Sequence, residues 1–211
     1  MQPLIEGIIY GIYQTTPLEW IAVITGLMSV WFSMKQNILV YPTGIISVLI
    51  YVYFGFNYQL YADMGVNSYY FVMSVYGWYH WTNTKDENRD QIPVTKNTKK
   101  EWVVSIGFLV SSFLILVFIL MNFTDSDVPI WDATTTSFAI LGMWLMAQKK
   151  LENWIAWIIT DIISVPLYFY KGLVLTSFQF LIFTALAFAG YKAWKKSLER
   201  DQSIKSENAL V

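Results

Sequence analysis

Residues 152–161, ENWIAWIITD, hold the densest set of groups with chemistry to offer. Trp154, Trp157 and Asp161 are spaced i, i+3 and i+7, which on an α-helix puts two indoles and a carboxylate on one face, with Asn153 at the helix start. Indole faces attract cations and stack on rings, and a carboxylate complements positive charge, so the set suits a flat, cationic, aromatic solute. Asp161 is the one acidic residue near the middle of an apolar stretch, where a charge faces a cavity, a pathway or a partner. A structural carboxyl bonded to a neighbouring helix competes with that reading, and an interfacial aromatic belt competes for Trp154. Residues 64–81 are too polar for a lipid-facing helix: they include Asn67, Ser68, Tyr69, Tyr70, Ser74 and His80. Asn67 and Tyr70 therefore belong inside a bundle, as candidates to line the same pathway, with interhelical hydrogen bonding as the competing use.

Composition says what must hold these groups. The 211-residue chain is 55% hydrophobic, 18% aromatic and only 14% charged, with a mean hydropathy of +0.43, whereas ordinary globular domains carry about a quarter charged residues. A net charge of −1 leaves no basic footprint for nucleic acid. With no cysteine and a single histidine, His80, thiolate or histidine metal sites and the usual catalytic triads lack their parts. No phosphate-binding G-x-x-x-x-G-K-[ST] occurs. The reading is an all-α polytopic membrane protein with no metal and no cofactor.

Seven apolar runs of roughly the length a bilayer requires lie near residues 18–34, 38–57, 64–81, 102–122, 133–148, 153–171 and 173–194. Thirteen of the 14 Lys and Arg residues fall on one side of such a topology, with Lys171 alone opposite. The positive-inside rule then gives N-terminus out and C-terminus in. The first 34 residues lack Lys and Arg, unlike a signal peptide. Residues 1–17 are expected to form an interfacial segment, 82–100 a cytoplasmic linker, and 195–211 a cytoplasmic tail, disordered after Ser197.

The chain also matches itself at a shift of 113: Trp31 with Trp144, Phe56 with Phe169, Leu60 with Leu173, Gly77 with Gly190 and Trp81 with Trp194. Two three-helix units, 18–81 and 131–194, share an orientation only if residues 101–122 carry the chain back across the membrane. The expected architecture is three plus one plus three, with parallel repeats about the membrane normal and a solute site at their interface. The shift sets Gln179 against Val66, so Gln179 and Asn67 fall at neighbouring depths and are expected to offer amide groups to one pathway.

Residues 60–70 (LYADMGVNSYY), 76–81 (YGWYHW), 152–157 with Asp161, 167–173 and 190–194 resemble the bacterial PnuC-type vitamin transporters, over nearly the whole chain. That resemblance implies a fold similar to the SWEET sugar transporters, homotrimers, and an inner-membrane facilitator of nicotinamide riboside uptake whose cargo is trapped by a cytoplasmic kinase. The family's tryptophan pair maps onto Trp154 and Trp157, but the asparagine expected directly after it in nicotinamide riboside carriers is Ile158. Thiamine therefore stands as an alternative substrate. A non-transporting structural subunit would explain the aromatic spans but not the repeat with its mid-depth polar groups, and an intramembrane enzyme would need more catalytic groups at depth than one aspartate. The expected contacts are Trp154, Trp157, Asn153, Asp161, Asn67, Gln179 and Tyr70.

Overall fold

The computed structural model describes residues 16–83 and 91–208, so the interfacial segment expected over 1–17 lies almost wholly outside the described residues. Seven helices are described: α1 (Pro17–Met34), α2 (Val40–Asn57), α3 (Tyr61–Thr82), α4 (Lys99–Phe123), α5 (Pro129–Ala147), α6 (Asn153–Tyr170) and α7 (Val174–Asn208). Each tracks one apolar run, since hydrocarbon leaves the backbone no partners but its own. The Thr16 hydroxyl caps α1 by accepting from the Glu19 N–H at 3.2 Å, with Pro17 preset at the first helical position. Thr98 and Glu101 form a reciprocal capping box on α4.

Taken alone, α1, α2 and α4 are long and apolar enough to cross a membrane. The others are diluted by polar residues that they bury: Ser74 in α3, Thr135 and Ser137 in α5, Asn153, Thr160, Asp161 and Ser164 in α6, Ser177 in α7. The tail differs from expectation, because α7 runs on to Asn208 instead of ending near Ser197. Leu198, one turn past Trp194, is buried with it in the core, and residues 195–206 contain neither Gly nor Pro to stop the helix.

Helices α1–α3 form one bundle and α5–α7 another. They meet where α1 packs on α7 and α3 on α5, while α4 packs on α5 with Ser105 its one buried residue. Contacts recur at the sequence offset of 113. Non-glycine positive φ at Gln36 (54°) and Lys149 (55°) closes the α1–α2 and α5–α6 turns, and Gln59 (60°) and Gly172 (76°) close α2–α3 and α6–α7. Ser47 Oγ donates to the Ala22 carbonyl at 2.8 Å, and Thr160 Oγ1 to the Thr135 carbonyl at 3.5 Å. The Trp81 indole donates to the Met146 carbonyl at 3.1 Å, and Trp194 to that of Ser33 at 2.8 Å. Tyr41, Trp81, Trp194 and Trp154 form an edge-to-face chain with centroids 5.1, 5.7 and 5.6 Å apart, filling the core at one end of the molecule.

The linker seals that end. Thr95 N–H donates to the Lys149 carbonyl at 3.1 Å, Leu151 N–H returns to Thr95 at 2.8 Å, and Asn97 N–H reaches Glu152 Oε1 at 3.1 Å. Val94 is 2% exposed within the core. The buried Lys149 lies 4.4 Å over the Trp81 ring, and Lys150 pairs with Glu101 at 2.6 Å.

Candidate functional site

Beyond the aromatic plug the two bundles part around a cavity of about 390 Å³. From α6 it receives Trp154, Trp157, Thr160, Asp161, Ser164 and Tyr168, a single stripe along the helix. From α3 come Asp63, Val66, Asn67, Tyr70 and Ser74; α1 and α2 contribute the small residues Ser29, Ser33 and Gly44. Phe180, Phe183 and Ala187 close it from α7.

Five of the seven expected contacts line this space: Asn67, Tyr70, Trp154, Trp157 and Asp161. Trp157 is half-buried, and the Tyr70 ring stands edge-on to it with centroids 6.4 Å apart. The Asp161 residue is 5% exposed, and its carboxylate has no hydrogen bond or ion pair with a described residue. Its oxygens open onto the cavity, where a cationic ligand would pair with them. Trp154 is 2% exposed at the plugged end, its Nε1 buried without a partner among the described residues. The Asn67 amide donates to the Asp63 carbonyl at 2.9 Å.

Asn153 and Gln179 do not reach the lining. Asn153 is fully buried at the α5–α6 turn, where its amide donates to the Lys150 carbonyl at 2.6 Å. At the depth expected of Gln179, its neighbour Phe180 turns inward instead.

Sequence reasoning singled out Ser74 only as a polar residue of α3 and missed Ser29 and Ser33 beside it in the hydroxyl wall, and it stopped short on α6. Extending i, i+4, i+7 and i+11 from Trp157 leads through Asp161 and Ser164 to Tyr168, all of which line the cavity. At the end of α6 away from the plug, Lys171 Nζ donates to both Asp132 carboxylate oxygens at 2.6 and 2.8 Å, tying α6 to α5. Among the described residues no three His, Cys, Asp or Glu gather to hold a metal. The arrangement offers a stacking face, an edge ring, a carboxylate and hydroxyls, which are groups that bind and orient a solute.

Comparison with known proteins places the chain by sequence and by fold. The chain is 27% identical over 211 aligned residues to the nicotinamide riboside transporter PnuC of Escherichia coli, covering 89% of this chain and 88% of that one. It is 26% identical over 192 residues to the riboflavin/roseoflavin transporter RibM of Streptomyces davaonensis, covering 88% of each. A crystal structure of the vitamin B3 transporter PnuC superposes with a TM-score of 0.71 at 24% identity, over 93% of this chain and 88% of that one, and shares its fold. The profile of the nicotinamide mononucleotide transporter family matches residues 16–196, and this multi-pass membrane protein belongs to that family.

Proposed function

We propose that the protein carries nicotinamide riboside into the cell by facilitated diffusion. The observation that carries this reading is the cavity itself, where Trp157, Tyr70 and Asp161, unpartnered among the described residues, converge on a space suited to a flat ring bearing positive charge. The solute enters at the end marked by Lys171, rests against Trp157 and Asp161, and leaves at the linker end as the bundles rock apart. One buried aspartate is thin equipment for ion coupling, so flux follows the concentration gradient. Phosphorylation of the vitamin by a cytoplasmic kinase then traps it.

In this reading all seven helices span the inner membrane, as parallel repeats α1–α3 and α5–α7 joined by α4. The offset of 113 shared by tight turns, cross-bundle hydrogen bonds and buried aromatics supports the duplication. The clustering of Lys35, Lys149, Lys150 and the linker at one end supports a cytoplasmic C-terminus and an external N-terminus. The largely exposed apolar flank of α4 is available to lipid and to the neighbours of a homotrimer.

Thiamine is the second reading, favoured by Ile158 after the tryptophan pair. Both solutes carry a cationic ring, so stacking and charge alone do not separate them. Calorimetric titration of the purified protein with each vitamin tests the choice. Tighter binding of nicotinamide riboside is expected; tighter binding of thiamine would reassign the substrate, and binding of neither would remove the cavity as a vitamin site.

A further inference from the structure

We propose that Gly142 of α5, which touches no solute itself, is the positioning residue for the Trp157 indole and so sets the width of the solute slot. The inference rests on the reading of the cavity as the solute site. Gly142 is buried and absent from the cavity lining, whereas Trp157 lines it, so the indole stands between the glycine and the open space. A Cβ placed on Gly142 would lie 3.0 Å from Trp157 Cε2, 3.1 Å from Cδ2 and 3.2 Å from Nε1, directly against the fused edge of the ring. Carbon atoms rest at about 3.5–4.0 Å, so even one methyl group would push the indole forward by some tenths of an ångström. Behind the ring is the α5 backbone, and ahead of it is the cavity.

The other bundle makes the same crossing the opposite way. There the glycine is Gly44 of α2, whose added Cβ would lie 2.9 Å from Ser29 Oγ on α1. Ser29 and Gly142 are 113 residues apart, as are Gly44 and Trp157. Each crossing thus has one glycine facing one side chain, with the partners exchanged between helices. The exchange puts an indole on the α6 wall and leaves Ser29, Gly44 and Ser74 as a low wall opposite. The slot is the gap between them, and Gly142 fixes how far the indole intrudes.

The test is a double-variant cycle read by calorimetric binding of nicotinamide riboside and thiamine to folded, detergent-purified protein. Gly142→Ala is expected to raise Kd by about tenfold for whichever vitamin binds the wild type. Trp157→Phe weakens binding in the wild-type background, yet in the Gly142→Ala background it improves binding, because the smaller ring vacates the volume the methyl group takes. Gly107→Ala on α4, where nothing lies within 4 Å, leaves Kd unchanged. Wild-type affinity in folded Gly142→Ala, or losses that simply add in the double variant, would overturn the proposal alone. If Gly142→Ala yields no folded protein, its recovery on adding Trp157→Phe supports the proposal and continued failure overturns it. A wild type that binds neither vitamin would overturn the site reading and this inference with it.

Discussion

The Trp81 indole N–H donates to the main-chain carbonyl of Met146 at 3.1 Å, reaching from α3 across to α5. Trp194 returns the bond in the other direction, to Ser33 on α1 at 2.8 Å. The bundles are therefore pinned to each other at the plugged end by one donor from each, and on the proposed route a solute leaves past both bonds. Trp81→Phe keeps an aromatic ring and removes the donor; the Met146 carbonyl keeps the Lys149 N–H at 2.9 Å, so the cost is that of one hydrogen bond, about 0.5–1.5 kcal/mol. The chain has no cysteine, so a single Ser74→Cys in the cavity reports access uniquely. In that background Trp81→Phe should lower the melting temperature and speed labelling by an impermeant thiol reagent applied from the linker side. Unchanged labelling would show that these bonds do not hold the end shut.

Asp161 should separate stability from function. The residue is 5% exposed, and its carboxylate has no partner among the described residues and opens onto the cavity, an arrangement that adds little to the fold and suits a cationic ligand. Asp161→Asn is expected to leave the melting temperature equal or higher while weakening binding of the cationic vitamin at least tenfold, about 1.4 kcal/mol or more. Lower stability with unchanged affinity would make Asp161 a structural residue.

The linker is held through its backbone, so side-chain changes and backbone changes at one position should differ. Thr95 N–H donates to the Lys149 carbonyl. Thr95→Pro removes that donor and should cost about 1–3 kcal/mol, whereas Thr95→Val should be near neutral. Thermal unfolding in detergent distinguishes them; equal effects would mean the strand-like contact contributes little.

Two glycines in α3 should respond oppositely to the same substitution. A Cβ on Gly77 would fall 2.5–2.6 Å from the Tyr41 ring, while Gly65 has nothing within 4 Å. Gly77→Ala is expected to destabilise by about 1–3 kcal/mol through overpacking. Gly65→Ala should stabilise by about 0.5–1 kcal/mol through the lost flexibility of the unfolded chain. Melting temperatures of the two variants check both signs.

Much of this fold is legible in the sequence because lipid imposes a simple rule. Seven apolar runs become seven helices, and of the rare matches at the shift of 113, Gly77 with Gly190 and Trp81 with Trp194 fall on equivalent contacts, whereas Trp31 is exposed. The Trp157 to Asp161 face is readable from helical periodicity alone. What stays hidden is encoded by geometry without identity. Gln36 and Lys149 share a left-handed turn but no chemistry, so no comparison of letters pairs them. The exchange of glycine between Ser29–Gly44 and Gly142–Trp157 erases the match at both positions. Gln179 misleads because a one-residue step around α7 is about 100°, enough to turn Phe180 inward in its place. The tail misleads because charge reads as solvation, while Leu198 is held in the core.

The most direct test of the account is uptake of labelled nicotinamide riboside into proteoliposomes holding the purified protein. Saturable entry is predicted, equilibrating with the outside concentration and indifferent to imposed proton or sodium gradients, with Asp161→Asn and Trp157→Ala slowing it at least tenfold. Flux no greater than in protein-free vesicles would contradict the carrier. Saturable flux untouched by either substitution would contradict the site.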